Sequence, residues 1–260
     1  GDTFRAADQH VRTPAIARGR MLLIDEVTTF DPKGGPWGRG YLRAEDHLAP
    51  DEWFFEGHFK NDPCMPGTLM LEGCLQAMSF YLAAMGYTLD RDGWRFESVC
   101  EETYKLICRG QAIPGDKTVT YEVFVEEVIA GPIPTLYADL LVTVDGLPAF
   151  HCRRLGLRLI PAYPLEGRLS LLSGPELSDD EPERNARTPD HVYDPFSIAA
   201  CAWGKPSDAF GQTFARFDGP QRCPRLPGPP YLFMTRITSI DAPEGMPVTG
   251  GTLEAEYQIP

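Results

Sequence analysis

Twenty residues, 67–86, constrain the fold of this 260-residue chain more than any other stretch. They open after Pro66, close on Gly86, and have the length of about five helical turns. Leu71, Cys74, Leu75, Met78 and Leu82 recur at helical spacing, while Leu69, Met70, Phe80 and Tyr81 fill the other faces. A helix that is apolar all round has to be buried on most sides. The first 165 residues hold no second convincing long helix. What covers this one must therefore be sheet.

The flanking pattern supplies it. Residues 103–109, 118–128, 135–144 and 149–160 are rich in Val, Leu, Tyr and Phe. Turn signals separate them, such as Pro114 with Gly115, Gly131 with Pro132 and Asp145 with Gly146. Ahead of the helix, residues 20–27 and 40–44 read as shorter strands around a turn at residues 31–36. Two or three strands, a buried helix and four long strands make an α+β order. The simplest packing is an antiparallel sheet wrapped around a central helix, the hot-dog fold.

An internal repeat extends this reading. Residues 231–241 line up with residues 21–31, and each stretch is followed by a Pro/Gly turn. A Leu-x-Ala follows each turn, at Leu42 and Ala44 and again at Leu253 and Ala255. The expected organisation is a hot-dog unit over 1–165, a linker region over 166–223, and over 224–260 the opening strands of a second unit, a double hot-dog. The polar run 178–189 marks the linker, and residues 196–204 read as a short packed helix. On this reading the chain stops at Pro260 before the position equivalent to His58 is reached.

Composition excludes several partners. A net charge of −13 argues against nucleic acid, which demands a basic face, and against an anionic membrane surface. No apolar run is long enough to span a bilayer, and no export signal opens the chain. The seven cysteines are scattered without a Cys-x-x-Cys pair, so neither a zinc site nor a disulfide framework is expected. Reduced thiols in a cytoplasmic protein are the expectation.

The chemistry concentrates between residues 53 and 76. His58 lies in a loop with Trp53, Phe54, Phe55 and Phe59, where an imidazole is shielded from water and suited to take a proton near neutral pH. Pro66 and Gly67 then open the buried helix, whose first N–H groups lack internal partners and carry the positive end of the dipole. A thioester carbonyl docked on the Gly67 N–H would be polarised, which acidifies its α-carbon. Glu72, in the second turn among apolar side chains, is suited to protonate a departing hydroxyl. Gln76, one turn further on the same face, either orients Glu72 or satisfies a local carbonyl. Taken singly, a histidine in an aromatic loop is more often a packing residue than a catalyst. A glutamate on a buried helix can equally be held by a structural partner.

The order and spacing resemble a known family. Phe54, Phe55, His58, Phe59, Asp62, Pro63, Met65, Pro66, Gly67, Leu69, Leu71 and Glu72 look like the active-site signature of bacterial 3-hydroxyacyl-ACP dehydratases, the 3-hydroxydecanoyl branch in particular. Residues 56–76, 92–96, 145–151 and 203–211 are similar to the tandem dehydratase domains of polyunsaturated fatty acid synthases, which are polyketide-like multienzymes. The resemblance implies His58 as catalytic base, Glu72 as acid and Gly67 as the thioester-binding amide, with Phe59, Pro66 and Gln76 beside the substrate. The isomerising branch has aspartate where this chain has Glu72. Dehydration to a trans-2-enoyl thioester is therefore implied, and double-bond isomerisation is left open.

The same resemblance implies a substrate carried on the phosphopantetheine arm of an acyl carrier protein, with no metal and no cofactor of the chain's own. It also implies that base and acid of one site come from two units, the second being the next hot-dog unit of the synthase or another copy in a homodimer. Lys105, Arg109, Arg153, Arg154 and Arg158 are the basic spots available for docking, unless they are ordinary solvated strand faces. Two alternatives stand beside the dehydratase. One is a non-catalytic hot-dog unit pairing with an active neighbour, the other a hot-dog acyl thioesterase.

Overall fold

The computed structural model describes residues 2–161, 185–188, 191–241 and 250–258. The chain divides into two compact units, Gly1–Glu52 with Met65–Arg168, and Trp53–Cys64 with Leu169–Pro260. From the N-terminus, β1 (Glu26–Asp31) and β2 (Tyr41–His47) precede two helices, α1 (Trp53–Gly57) and α2 (Gly67–Ala84). Then come β3 (Trp94–Ser98), β4 (Leu106–Cys108), β5 (Thr118–Ile129), β6 (Thr135–Val144) and β7 (Leu147–Pro161).

In the first unit these seven strands form one antiparallel sheet of order β1-β2-β5-β6-β7-β3, with β4 also pairing β7. α2 packs on β2, β5, β6 and β7. Ten of its 18 residues are buried, spread around nearly its whole circumference, as the apolar pattern requires. Cys74, Ala77, Met78 and Leu82 on α2 and Leu42, Tyr121, Leu140 and Leu159 on the sheet are all shut off from solvent. This sheet curled on one helix is the hot-dog fold. At Gly73 the helix lies so near the sheet that a Cβ would come 2.3 Å from the Tyr121 ring.

Two segments depart from the expected strands. Residues 20–27 do not form one strand: Gly19–Met21 is a 3-10 turn and β1 starts only at Glu26. The apolar run is explained by burial instead, since Leu23 is 2% exposed and its N–H donates to the Gln76 side chain at 2.9 Å. β3 was not anticipated. Its alternating Arg95 and Glu97 hide a strand held partly by ion pairs, with Arg158 of β7 at 2.8 Å from Glu97.

Asp46 on β2 is half-buried, and burial with the neighbouring Asp25 and Glu52 carboxylates pushes its pKa from 3.8 up to about 6, with His47 opposing. A folded pKa above the unfolded one gives stability that is full below pH 4 and lost as pH rises through about 6. Asp46→Asn is therefore expected to raise unfolding stability by about 1–2 kcal/mol at pH 8 and to change little at pH 4. Urea unfolding at the two pH values checks this, and equal effects at both would contradict it.

The second unit adds β8 (Arg187–Thr188), β9 (His191–Val192), α3 (Pro195–Ala202), α4 (Pro206–Phe210), β10 (Arg236–Asp241) and β11 (Thr252–Glu256). α3 starts at the N-cap Asp194, which accepts the Ser197 N–H at 2.9 Å, with Pro195 in the first turn. Ala186, Tyr193, Ile198 and Ile237 make a small core there, flanked by Leu226, Leu232 and Met234. Of the expected linker, residues 166–184 and 189–190 lie outside the described residues, and the rest carries α3 and α4.

The two aligned stretches form hairpins of the same register. β1 pairs β2 through Val27↔Ala44 and Phe30↔Leu42, with an irregularity between Val27 and Thr29. β10 pairs β11 through Ile237↔Ala255 and Ile240↔Leu253, with the irregularity between Ile237 and Ser239. Even the side-chain bond at the bulge recurs: Thr28 Oγ1 donates to the Arg43 carbonyl, and Thr238 Oγ1 to that of Glu254. Bulges of this kind are specific devices that bend a strand locally. The turn at residues 242–249 lies outside the described residues.

Candidate active site

The first unit holds Gly67, Glu72 and Gln76 on one helix. Gly67 is the first residue of α2, and among the described residues its N–H has no hydrogen-bond partner. A Cβ at this position would stand 2.6 Å from Cys108 Sγ, so a larger residue would require that side chain to turn away. Pro66 is buried, and its carbonyl accepts the Leu69 N–H at 2.9 Å. The open N–H and the helix dipole together suit a developing oxyanion.

Glu72 is half-buried and accepts a hydrogen bond from Gln76 Nε2 at 3.0 Å. The same nitrogen donates to the Met21 carbonyl at 2.7 Å, and Gln76 Oε1 accepts the Leu23 N–H at 2.9 Å. Gln76 thus both orients the glutamate and satisfies local backbone. Glu72, Gln76 and Ser79 line a cavity of about 320 Å³ with Ile16, Phe96 and Leu157. The cavity supplies room for a ligand beside a fixed carboxylate. Gln76→Leu is expected to cost about 2–3 kcal/mol, because it strands a buried N–H and a carbonyl, and to release Glu72. A melting curve checks the first effect; an unchanged midpoint would contradict the three bonds.

His58 belongs to the other unit. It follows directly on α1, whose Phe54, Phe55 and Gly57 are buried, and its N–H donates to the Phe54 carbonyl at 3.2 Å. The loop closes through Cys64, whose N–H donates to the His58 carbonyl at 2.7 Å. His58 Nδ1 lies 3.0 Å from the Cys64 carbonyl oxygen. A carbonyl can only accept, so the contact places a proton on Nδ1, and in the neutral ring Nε2 is then the acceptor. The ring stacks on Phe59 at 4.1 Å. Burial pushes the Cys64 thiol up, so the nearby sulfur stays protonated.

Tyr231 completes this environment and was not anticipated. It stacks on Trp53 at 5.6 Å and meets the His58 ring edge-on at 5.8 Å. The Gly228 N–H donates to the Gly57 carbonyl at 2.7 Å, which ties residues 228–231 to the end of α1. The repeat was the available signal, because Tyr231 occupies the position of Met21, the residue whose carbonyl Gln76 grips.

Glu26, Glu45 and His47 bring possible metal-ligand atoms within 4.8 Å of one another on β1 and β2. Arg43 already binds Glu45 at 2.8 Å and Asp25 lies 3.2 Å from His47, so the group is accounted for as a surface ion network. All seven cysteines are free. Among the described residues no helix is long and apolar enough to cross a membrane.

The hot-dog unit, with a carboxylate on its central helix, has the fold of a family that includes dehydratases and thioesterases. Residues 16–153, just over half the chain, match the FabA-like domain family, and the chain belongs to that family. Among solved structures it is similar to a dehydratase heterocomplex from Xenorhabdus doucetiae, at 11% identity and a TM-score of 0.42 over 61% of this chain and 93% of that one. It is also similar to a mutant thioesterase from Pseudomonas aeruginosa, at 17% identity and a TM-score of 0.33 over 52% and 81% of the two chains. A hypothetical thioesterase with coenzyme A from Streptococcus pneumoniae matches at 8% identity and a TM-score of 0.34 over 52% and 85%.

Proposed function

We propose that the protein dehydrates 3-hydroxyacyl thioesters to trans-2-enoyl thioesters, as a dehydratase domain of a polyunsaturated fatty acid synthase. The observation that carries this reading is the contact of His58 Nδ1 with the Cys64 carbonyl at 3.0 Å, which directs Nε2 of the neutral ring to take a proton. His58 Nε2 removes a proton from the α-carbon while the Gly67 N–H draws charge onto the thioester oxygen. The C3–O bond breaks, and Glu72 delivers its proton so that the hydroxyl leaves as water. The electron pair of the C–H bond becomes the new double bond. Proton exchange with water then resets imidazolium and carboxylate. Gln76 holds Glu72, and Phe59 and Pro66 flank the bound chain.

The acid that serves His58 comes from Glu72 of this chain or of a second hot-dog unit, as in a homodimer. Substrate arrives on the phosphopantetheine arm of an acyl carrier protein within a cytoplasmic synthase, and the chain needs no cofactor of its own. Whether Glu72 also moves the double bond is read from the product. A thioesterase is the second reading, favoured by one observation: Glu72 borders a cavity of about 320 Å³ with room for an attacking water. Offering a 3-hydroxyacyl-pantetheine thioester to the full chain and analysing the products by mass spectrometry separates the readings. Loss of water with the thioester intact supports dehydration; release of free acid supports hydrolysis and overturns it.

A further inference from the structure

The loop that carries His58 also forms one wall of a basic cavity. This cavity, about 280 Å³, is lined by Lys60 and Asn61 from the loop and by Asp218, Gln221, Arg222 and Arg225, among others. Three cations gather here in a chain whose net charge is −13. Among the described residues none of the three has a carboxylate partner within ion-pair distance. Lys60 donates to the Trp203 carbonyl and Arg225 to that of Gly204. Arg222 reaches the Asn61 carbonyl at 3.3 Å, and Arg225 Nε is shut from solvent with no acceptor at all.

The only carboxylate in the named lining is already engaged. Asp218 accepts the Ser207 N–H at 2.9 Å and its hydroxyl at 2.6 Å, and these bonds, with the nearby charges of Lys205 and Arg225, hold its carboxyl below the ordinary range. The other basic spots behave differently. Arg154 is paired with Glu126 and Glu127, and Arg158 with Glu97 and Glu101. Three cations hydrogen-bonded to neutral carbonyls outweigh the single Asp218 carboxylate near Arg225, and a concave site so lined attracts an anion with several acceptor oxygens.

We propose that this cavity binds the phosphate of the substrate's pantetheine arm. The inference rests on the dehydratase reading and names the recognition site that goes with it. Lys60 lies two residues beyond His58, so their Cα atoms are no more than about 7 Å apart. One loop thereby presents the base at one end and the phosphate ligand at the other. Guanidinium is the suited partner, since its planar fork meets two phosphate oxygens at once.

Two measurements on the full chain test the proposal. In the first, KM is compared for 3-hydroxyacyl thioesters of 4′-phosphopantetheine and of plain pantetheine. The phosphate is expected to lower KM about tenfold. Arg222→Ala should erase that ratio, and Arg222→Lys should restore part of it. An unchanged ratio in Arg222→Ala overturns the proposal. The second does not require turnover: 4′-phosphopantetheine should raise the melting temperature, while pantetheine should not, and Arg222→Ala should abolish the rise. If the protein proves catalytically silent but this shift is seen, the binding site stands and the dehydratase reading falls. If inorganic phosphate matches 4′-phosphopantetheine at equal concentration, the cavity holds an adventitious ion only and the assignment to the arm is wrong.

Discussion

Replacing His58 with alanine is expected to lower enoyl formation about a thousandfold while leaving the protein folded. A positioned general base commonly contributes between about a hundred- and ten-thousandfold. The structural loss is small by comparison. The ring's one polar tie to a carbonyl is to Cys64, and the loop keeps its backbone bonds from Cys64 to His58 and from His58 to Phe54. His58→Gln is the informative companion. Its amide can still donate toward Cys64, but it cannot take a proton, so it should be as inactive as alanine. A loss below tenfold in either variant would remove His58 from the role of base.

The second large effect concerns the packing that supports Glu72. Gly73→Ala is expected to destabilise the first unit by about 2–3 kcal/mol, although alanine is the better helix former by about 1 kcal/mol. The added methyl would come 2.3 Å from a ring carbon of Tyr121 and 2.7 Å from its hydroxyl. Tyr121 has little room to move, being 0% exposed on β5. The helix would have to lift from the sheet, and Glu72, one residue earlier, would move with it. Tyr121→Leu in the same chain should recover part of the loss. The coupling, read from unfolding of both single variants and the double, is expected to reach about 1 kcal/mol or more. Additive losses would mean that α2 does not rest on Tyr121.

How far the sequence alone led follows from the range of the interactions. α2 was legible because its apolar residues occupy every face, and burial on all sides is the only stable outcome. β5, β6 and β7 were legible from composition and from turns such as Asp145-Gly146, where φ values of 47° and 83° match a tight two-residue hairpin. His58, Gly67 and Glu72 lie within fifteen residues, so their spacing could be seen directly. β3 was hidden because Arg95 and Glu97 look like surface residues until Arg158 of β7 is placed beside them. The run ending at Ile24 looked like a strand because burial against a helix and burial in a sheet call for the same side chains. Tyr231 and Arg222 act on the His58 loop from more than 160 residues away along the chain, and no local pattern announces such a meeting.

The most direct test runs the reaction backwards in heavy water. A trans-2-enoyl-pantetheine thioester is offered to the full chain in D₂O, and the product is read by NMR and mass spectrometry. The expected result is hydration at C3 with a single deuterium at C2, abolished by His58→Ala and by Glu72→Gln. Release of the free enoic acid, or hydration that survives the loss of His58, would contradict the account.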